Sequence, residues 1–165
     1  MAEQRGSLRI GARSDRMALE TVLAVAQTDE SGDGHALADA VVDVAGPAGA
    51  TVVVLFVFPE ADYTEAVSDR DDGSVSPSPD ALAATRESVG RLADALEAAG
   101  IDHEIRGEVG DPVERILTEA EEGDVDLVFV GSKRRSPTGK VIFGSTAQDV
   151  MLNAPCPVVF VREDR

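Results

Sequence analysis

The chain has 165 residues and one cysteine, Cys156, so it can build one domain that buries roughly 70% of its unfolded surface, and it can form no internal disulfide. Lys and Arg number 15 against 31 Asp and Glu, a net charge of −16, and only 4% of residues are aromatic. This balance argues against nucleic-acid binding, docking on an anionic membrane and base-stacking platforms, and no apolar run nears the roughly 18 residues that a bilayer span requires.

Residues 1–19 read as a disordered tail, with Arg5, Arg9, Arg13 and Arg16 and no sustained periodicity, and Met17 as an alternative start. Residues 20–165 read as one domain. Residues 21–26 (TVLAVA) predict a buried strand, and residues 29–34 (DESGDG) a turn. Over 35–45, Leu37, Val41 and Val44 share a helical face, and Gly46-Pro47 predicts the stop. Residues 50–58 (ATVVVLFVF) are apolar on both faces, as a central parallel strand must be. Residues 59–79 are polar and rich in Ser and Pro, which predicts a long, mobile surface loop.

One long amphipathic helix is predicted over 80–99, from Leu82, Val89, Leu92 and Leu96, with Gly100 closing it. Residues 101–108 alternate as a short strand at a sheet edge. Asp111 is a natural N-cap and Pro112 a first helical residue. Ile116, Leu117 and Ala120 then face the core until Gly123. Residues 125–130 predict a buried strand, 145–153 a helix, and 158–161 the last strand. Strands alternating with helices imply an α/β fold, a five-stranded parallel doubly wound sheet of Rossmann-like type with helices on both faces.

One segment departs from the rest of the chain in charge. Residues 127–148 contain no Asp or Glu but hold Lys133, Arg134, Arg135 and Lys140, which include both lysines of the protein. Gly131, Gly139 and Gly144 lie in the same stretch, with Ser145 and Thr146 opening a helix. A glycine-rich turn leaving a strand and feeding a helix N-terminus presents backbone N–H groups and a positive dipole end, which together cradle a phosphate. No GxxxxGK[ST] and no GxGxxG is present. The remaining surface, crowded with carboxylates and nearly free of Lys, suits a cytosol of molar salt, where the Debye length is about 3 Å.

These segments resemble the universal stress protein family. The family pattern is Gly, two residues, Gly, nine residues, Gly, then Ser or Thr. Gly131 takes the first position and Gly144-Ser145 the last two, while Arg134 stands at the second glycine. Residues 107–132 (GEVGDPVERILTEAEEGDVDLVFVGS) and 153–162 (NAPCPVVFVR) are similar to the family's Gly-Asp-Pro segment, fourth strand and final strand. The resemblance implies an ATP site and leaves Mg open. It implies a first-strand contact at Thr28 or Asp29, base recognition by backbone at Val57 with Phe58 left open, and a phosphate loop of Gly131, Ser132, Arg134, Gly144, Ser145 and Thr146. Gly adopts positive φ more cheaply than Arg134 does, but the Arg134 guanidinium could hold a phosphate bidentately.

The resemblance further implies a non-enzymatic, cytoplasmic stress-response protein that dimerises through Val158–Val161, an apolar edge open to strand pairing. Two alternatives are a nucleotide-free dimer serving as an interaction scaffold, and a nucleotide hydrolase or adenylating enzyme. The second alternative lacks an identifiable general base or metal-binding acidic pair. His35 reads as a surface residue and His103 as a solvated one. Cys156 reads as a buried, inert thiol, and the three lack metal-ligand spacing.

Overall fold

A computed structural model describes residues 18–26, 34–69, 73, 75–132 and 144–162. In chain order the elements are β1 (Thr21–Val25), α1 (His35–Ala48), β2 (Thr51–Phe58), α2 (Glu60–Ser68), α3 (Pro79–Ala83), α4 (Glu87–Ala98), β3 (His103–Val109), α5 (Pro112–Glu122), β4 (Leu127–Gly131), α6 (Ser145–Asn153) and β5 (Val158–Val161). The strands form one five-stranded sheet in the order β3-β2-β1-β4-β5, with every neighbouring pair parallel.

The apolar run of β2 is buried from Val52 to Phe58, and its alternation feeds two cores. Val52, Val54, Phe56 and Phe58 face Leu37 and Val41 of α1 and Val89, Leu92 and Leu96 of α4. Val53, Leu55 and Val57 face Ile116 and Ala120 of α5 and Ala147 and Val150 of α6. Burying each large apolar side chain contributes roughly 1.5–3 kcal/mol relative to exposure. Helices therefore cover both faces, as the doubly wound reading requires. The expected edge position of β3 and the bounds of α6 and β5 hold as well. Asp111 caps α5, its Oδ1 accepting from the Glu114 N–H at 3.0 Å.

Four expectations are corrected. The helix expected to stop at 45 continues as α1 to Ala48, with Pro47 in its last turn. Gly49, at φ 66°, closes it: the Gly49 N–H donates to the Gly46 carbonyl and the Ala50 N–H to the Ala45 carbonyl, both at 3.1 Å. The strand expected at 125–130 is β4, shifted to Leu127–Gly131.

The loop expected over 59–79 contains α2, which buries no residue of its own. Tyr63 anchors it instead. Its ring lies 6.0 Å from that of Phe58, and its hydroxyl donates to the Pro77 carbonyl at 3.1 Å.

The single helix expected over 80–99 is two helices broken at 84–86, where Thr85 Oγ1 donates to the Leu82 carbonyl at 2.7 Å. Beyond the break, the Arg86 guanidinium lies over the rings of Phe56 and Phe58, at 5.7 and 5.2 Å. The break lets α3 seat its first turn on β3, where the Gly107 N–H donates to Asp80 Oδ1 at 2.8 Å.

Candidate nucleotide site at the carboxyl end of the sheet

In this strand order, β1 has β2 on one side and β4 on the other, and the connections out of the two halves run in opposite directions. Such a switch point leaves a crevice beyond the carboxyl ends of the strands. Five of the residues expected to hold a ligand converge there from β4 and α6. Gly131 ends β4 and pairs with Val161. Ser132 follows, 4% exposed, and its N–H donates to the Val161 carbonyl at 2.8 Å. Because β4 and β5 are parallel, α6 must run back between them, so Gly144 and Ser145 lie at the same end as Gly131.

The start of α6 carries no side-chain cap and no acid in its first turn. Its first backbone bond runs from the Gln148 N–H to the Gly144 carbonyl at 3.1 Å, which leaves the N–H groups of Ser145, Thr146 and Ala147 without an intrahelical acceptor. Gly144 has φ −62° and ψ 150°, dihedrals that any residue adopts, so what its glycine supplies is the missing Cβ. Ser145 is exposed and Thr146 half-buried.

Val57 is positioned by the alternation of β2. The Leu55 carbonyl accepts from the Ala26 N–H on the β1 side at 2.8 Å, and the Phe58 carbonyl accepts from the Gly110 N–H on the β3 side at 2.9 Å. With a period of two, Val57 turns its peptide groups towards β1. The last β1 pairing among the described residues is Val25 with Leu55. Among the described residues, Val57 therefore presents an N–H and a carbonyl beyond the end of β1, a donor and acceptor side by side, whereas the Phe58 carbonyl is committed to the Gly110 N–H beyond β3. Thr28, Asp29 and Arg134 lie outside the described residues, as do Lys133, Arg135, Gly139 and Lys140.

Other candidates take quieter places. His35 is exposed, as expected, at the start of α1. His103 is half-buried rather than solvated, with Nδ1 3.2 Å from the Ile101 carbonyl. Cys156 is half-buried rather than buried, against the core under α5 and α6. No group of three metal-ligating side chains occurs among the described residues. Sequence reasoning passed over Arg115, in the first turn of α5, although a cation there opposes the helix dipole.

One ion-pair network lies away from the crevice. Arg106 of β3 donates to both carboxylate oxygens of Glu119 on α5, at 3.2 and 2.9 Å, and reaches Glu104 at 2.9 Å. Burial pushes the Glu119 carboxyl up by more than Arg106 brings it down, and Glu108 and Glu122 add to the rise. Burial also lowers the Arg106 pKa, but Glu119 and Glu104 outweigh it and hold the guanidinium charged.

Comparison with known proteins agrees with this architecture. The sequence pattern of the universal stress protein family matches residues 23–162. The chain belongs to the universal stress protein family. A universal stress protein of Mycolicibacterium smegmatis is 40% identical over 68 residues, a match covering 41% of this chain and 52% of that protein. The aligned part of the chain thus spans about half the length of that relative. The structure of a universal stress protein from Archaeoglobus fulgidus superposes with a TM-score of 0.63 at 26% identity, covering 88% of this chain and 99% of the other. A structure of the universal stress protein from the same organism in complex with dAMP gives a TM-score of 0.58 at 20% identity, covering 88% and 99% of the two chains. That second likeness speaks for the fold alone. Among the described residues of this universal stress protein, no helix is long and apolar enough to cross a membrane.

Proposed function

We propose that this universal stress protein binds an adenine nucleotide, ATP foremost, in the crevice between β1 and β4, and acts as a non-enzymatic stress-response homodimer in the cytoplasm. The observation that carries the reading is the uncapped, acid-free start of α6 at the end of β4. In a chain of net charge −16, it offers backbone donors and a helix dipole where the basic segment 127–148 leaves β4 and begins α6. Gly131, Ser132, Gly144, Ser145 and Thr146 hold the phosphates in this reading. Arg134 and the other cations of the segment neutralise a triphosphate, and Thr28 or Asp29 completes the ribose side. The Val57 peptide matches the amino group and N1 of an adenine. The dAMP complex of the Archaeoglobus fulgidus protein supports adenine as the base. The apolar, half-buried residues of β5 support pairing with a second copy.

The test is mass spectrometry of nucleotide released on denaturing the purified protein, followed by calorimetry with ATP and AMP in 2 M KCl. Co-purified adenine nucleotide and saturable binding are expected. No nucleotide and no binding would remove this reading and leave a scaffold dimer.

A further inference from the structure

Two buried guanidinium Nε atoms, those of Arg86 and Arg115, have no hydrogen-bond acceptor among the described residues. Arg86 is accounted for by the two phenylalanine rings beneath it. Arg115 has no such ring. Its guanidinium lies against Gly110, where a Cβ would stand 3.0 Å from Nε and 3.5 Å from one Nη. Gly110 has φ 135°, open to glycine and strained for other residues, so its backbone conformation reserves the position for glycine. The contact sets Nε and one Nη beside Gly110 and leaves the second Nη farther from it.

No carboxylate is paired with that cation among the described residues, although Glu108, Asp111 and Glu114 lie within seven residues of it. Asp111 is occupied capping the helix. By contrast, Arg91 and Arg106 both sit on carboxylates. The place is specific as well. The Gly110 N–H is bonded to the Phe58 carbonyl, one residue beyond Val57, and Ile116, next to Arg115 in the chain, packs in the same core as Val57. Arg115 thus flanks the strand end whose open peptide faces the crevice. Gly131 ends β4, three strand spacings from β3 or about 14 Å across the sheet. Arg115 therefore belongs to the base end of a nucleotide whose phosphates sit on α6.

We infer that Arg115 reads the base, the Nη farther from Gly110 donating to a ring-nitrogen acceptor of a purine. This rests on the nucleotide reading above. If the Val57 peptide takes the amino group and N1 of adenine, N7 and N3 are the acceptors left, and a guanidinium supplies the matching donors.

The experiment measures AMP, 7-deaza-AMP and 3-deaza-AMP binding to the full chain and to Arg115→Met, by calorimetry in 2 M KCl. Arg115→Met is expected to lose roughly 10-fold or more in AMP affinity, as for one charge-assisted hydrogen bond. One of the two deaza analogues should lose a similar factor on the parent protein and nothing further on the variant. Arg115→Lys keeps the charge without the planar fork and should fall between the two, and it serves as the reading variant should Arg115→Met fail to fold. AMP binding that is unchanged in the variant, or a deaza penalty equal in both proteins, would overturn base reading and leave the nucleotide site standing. Absence of AMP binding to the parent protein would overturn both.

Discussion

Replacing Gly107 with Ala probes how firmly α3 is seated. The added Cβ would lie 2.0 Å from the Pro79 carbonyl oxygen, 2.3 Å from its carbon and 2.9 Å from the Asp80 nitrogen. All three are backbone atoms, so no rotamer change relieves the clash, and either β3 bends or α3 lifts. Bending costs about 1–3 kcal/mol, the usual range for overpacking. Lifting breaks the Asp80–Gly107 hydrogen bond at 2.8 Å, worth about 1.5–3 kcal/mol with a charged acceptor. It also uncovers Leu82, now 3% exposed, for roughly another 1.5–3 kcal/mol. The expected loss is therefore about 1–6 kcal/mol, a large share of the 5–15 kcal/mol that typically holds a domain of this kind together. Urea unfolding in 2 M KCl, followed by circular dichroism, reads it directly. A midpoint unchanged from the parent protein would refute the seating of α3 on β3.

Glu119→Gln should be as stable as the parent or more so at pH 7, because burial raises the Glu119 pKa despite Arg106. A carboxyl whose folded pKa lies above its unfolded value carries a cost above that pKa and sheds it as pH falls through it. The melting difference should therefore close on acidification; a variant less stable at pH 7 would mean the pair is a net stabiliser. Ser145→Ala should weaken ATP binding roughly 10- to 150-fold if its hydroxyl bonds a phosphate oxygen, and equal calorimetric affinities would exclude that contact. Arg134→Gly should also weaken ATP; tighter binding would show that the side chain obstructs the loop. With a net charge of −16, the melting temperature should rise markedly between 0.1 and 2 M KCl, and a flat response would remove the salt-adapted reading. On β5, the Pro157 and Val161 carbonyls point to β4, so the N–H of Val158 points the other way. Val158→Pro should reduce a β5-paired dimer to monomer by light scattering, and an intact dimer would place the contact elsewhere.

The strands were legible because burial on both faces demands unbroken apolar runs, and 51–58 can be little else. The Asp111-Pro112 start of α5 was legible because its signal is local chemistry. The break between α3 and α4 was not, for a geometric reason. Leu82 and Val89 are seven residues apart, close to two helical turns, so the apolar stripe keeps its phase across an interruption of three residues. The helix α2 was hidden because it buries nothing and is held by Tyr63 alone among its larger apolar side chains. At the site, the charge pattern of 127–148 pointed to the end of β4. Arg115 stayed hidden because what distinguishes it is an unmet buried donor, which appears only when β3 and α5 are brought together.

The β3 border of the sheet is closed to a further strand. On β3 the outward N–H of Gly107 is already taken by Asp80, and the Pro79 backbone lies on its Cα. On β5 the four apolar side chains are half-buried. If β5 pairs with a second copy, as proposed above, the body has one adhesive border and a valence of one. Two such bodies satisfy each other and growth ends there, whereas a fibre needs a second border to carry it forward. By sealing β3, the short helix α3 would hold such strand-to-strand addition to a pair.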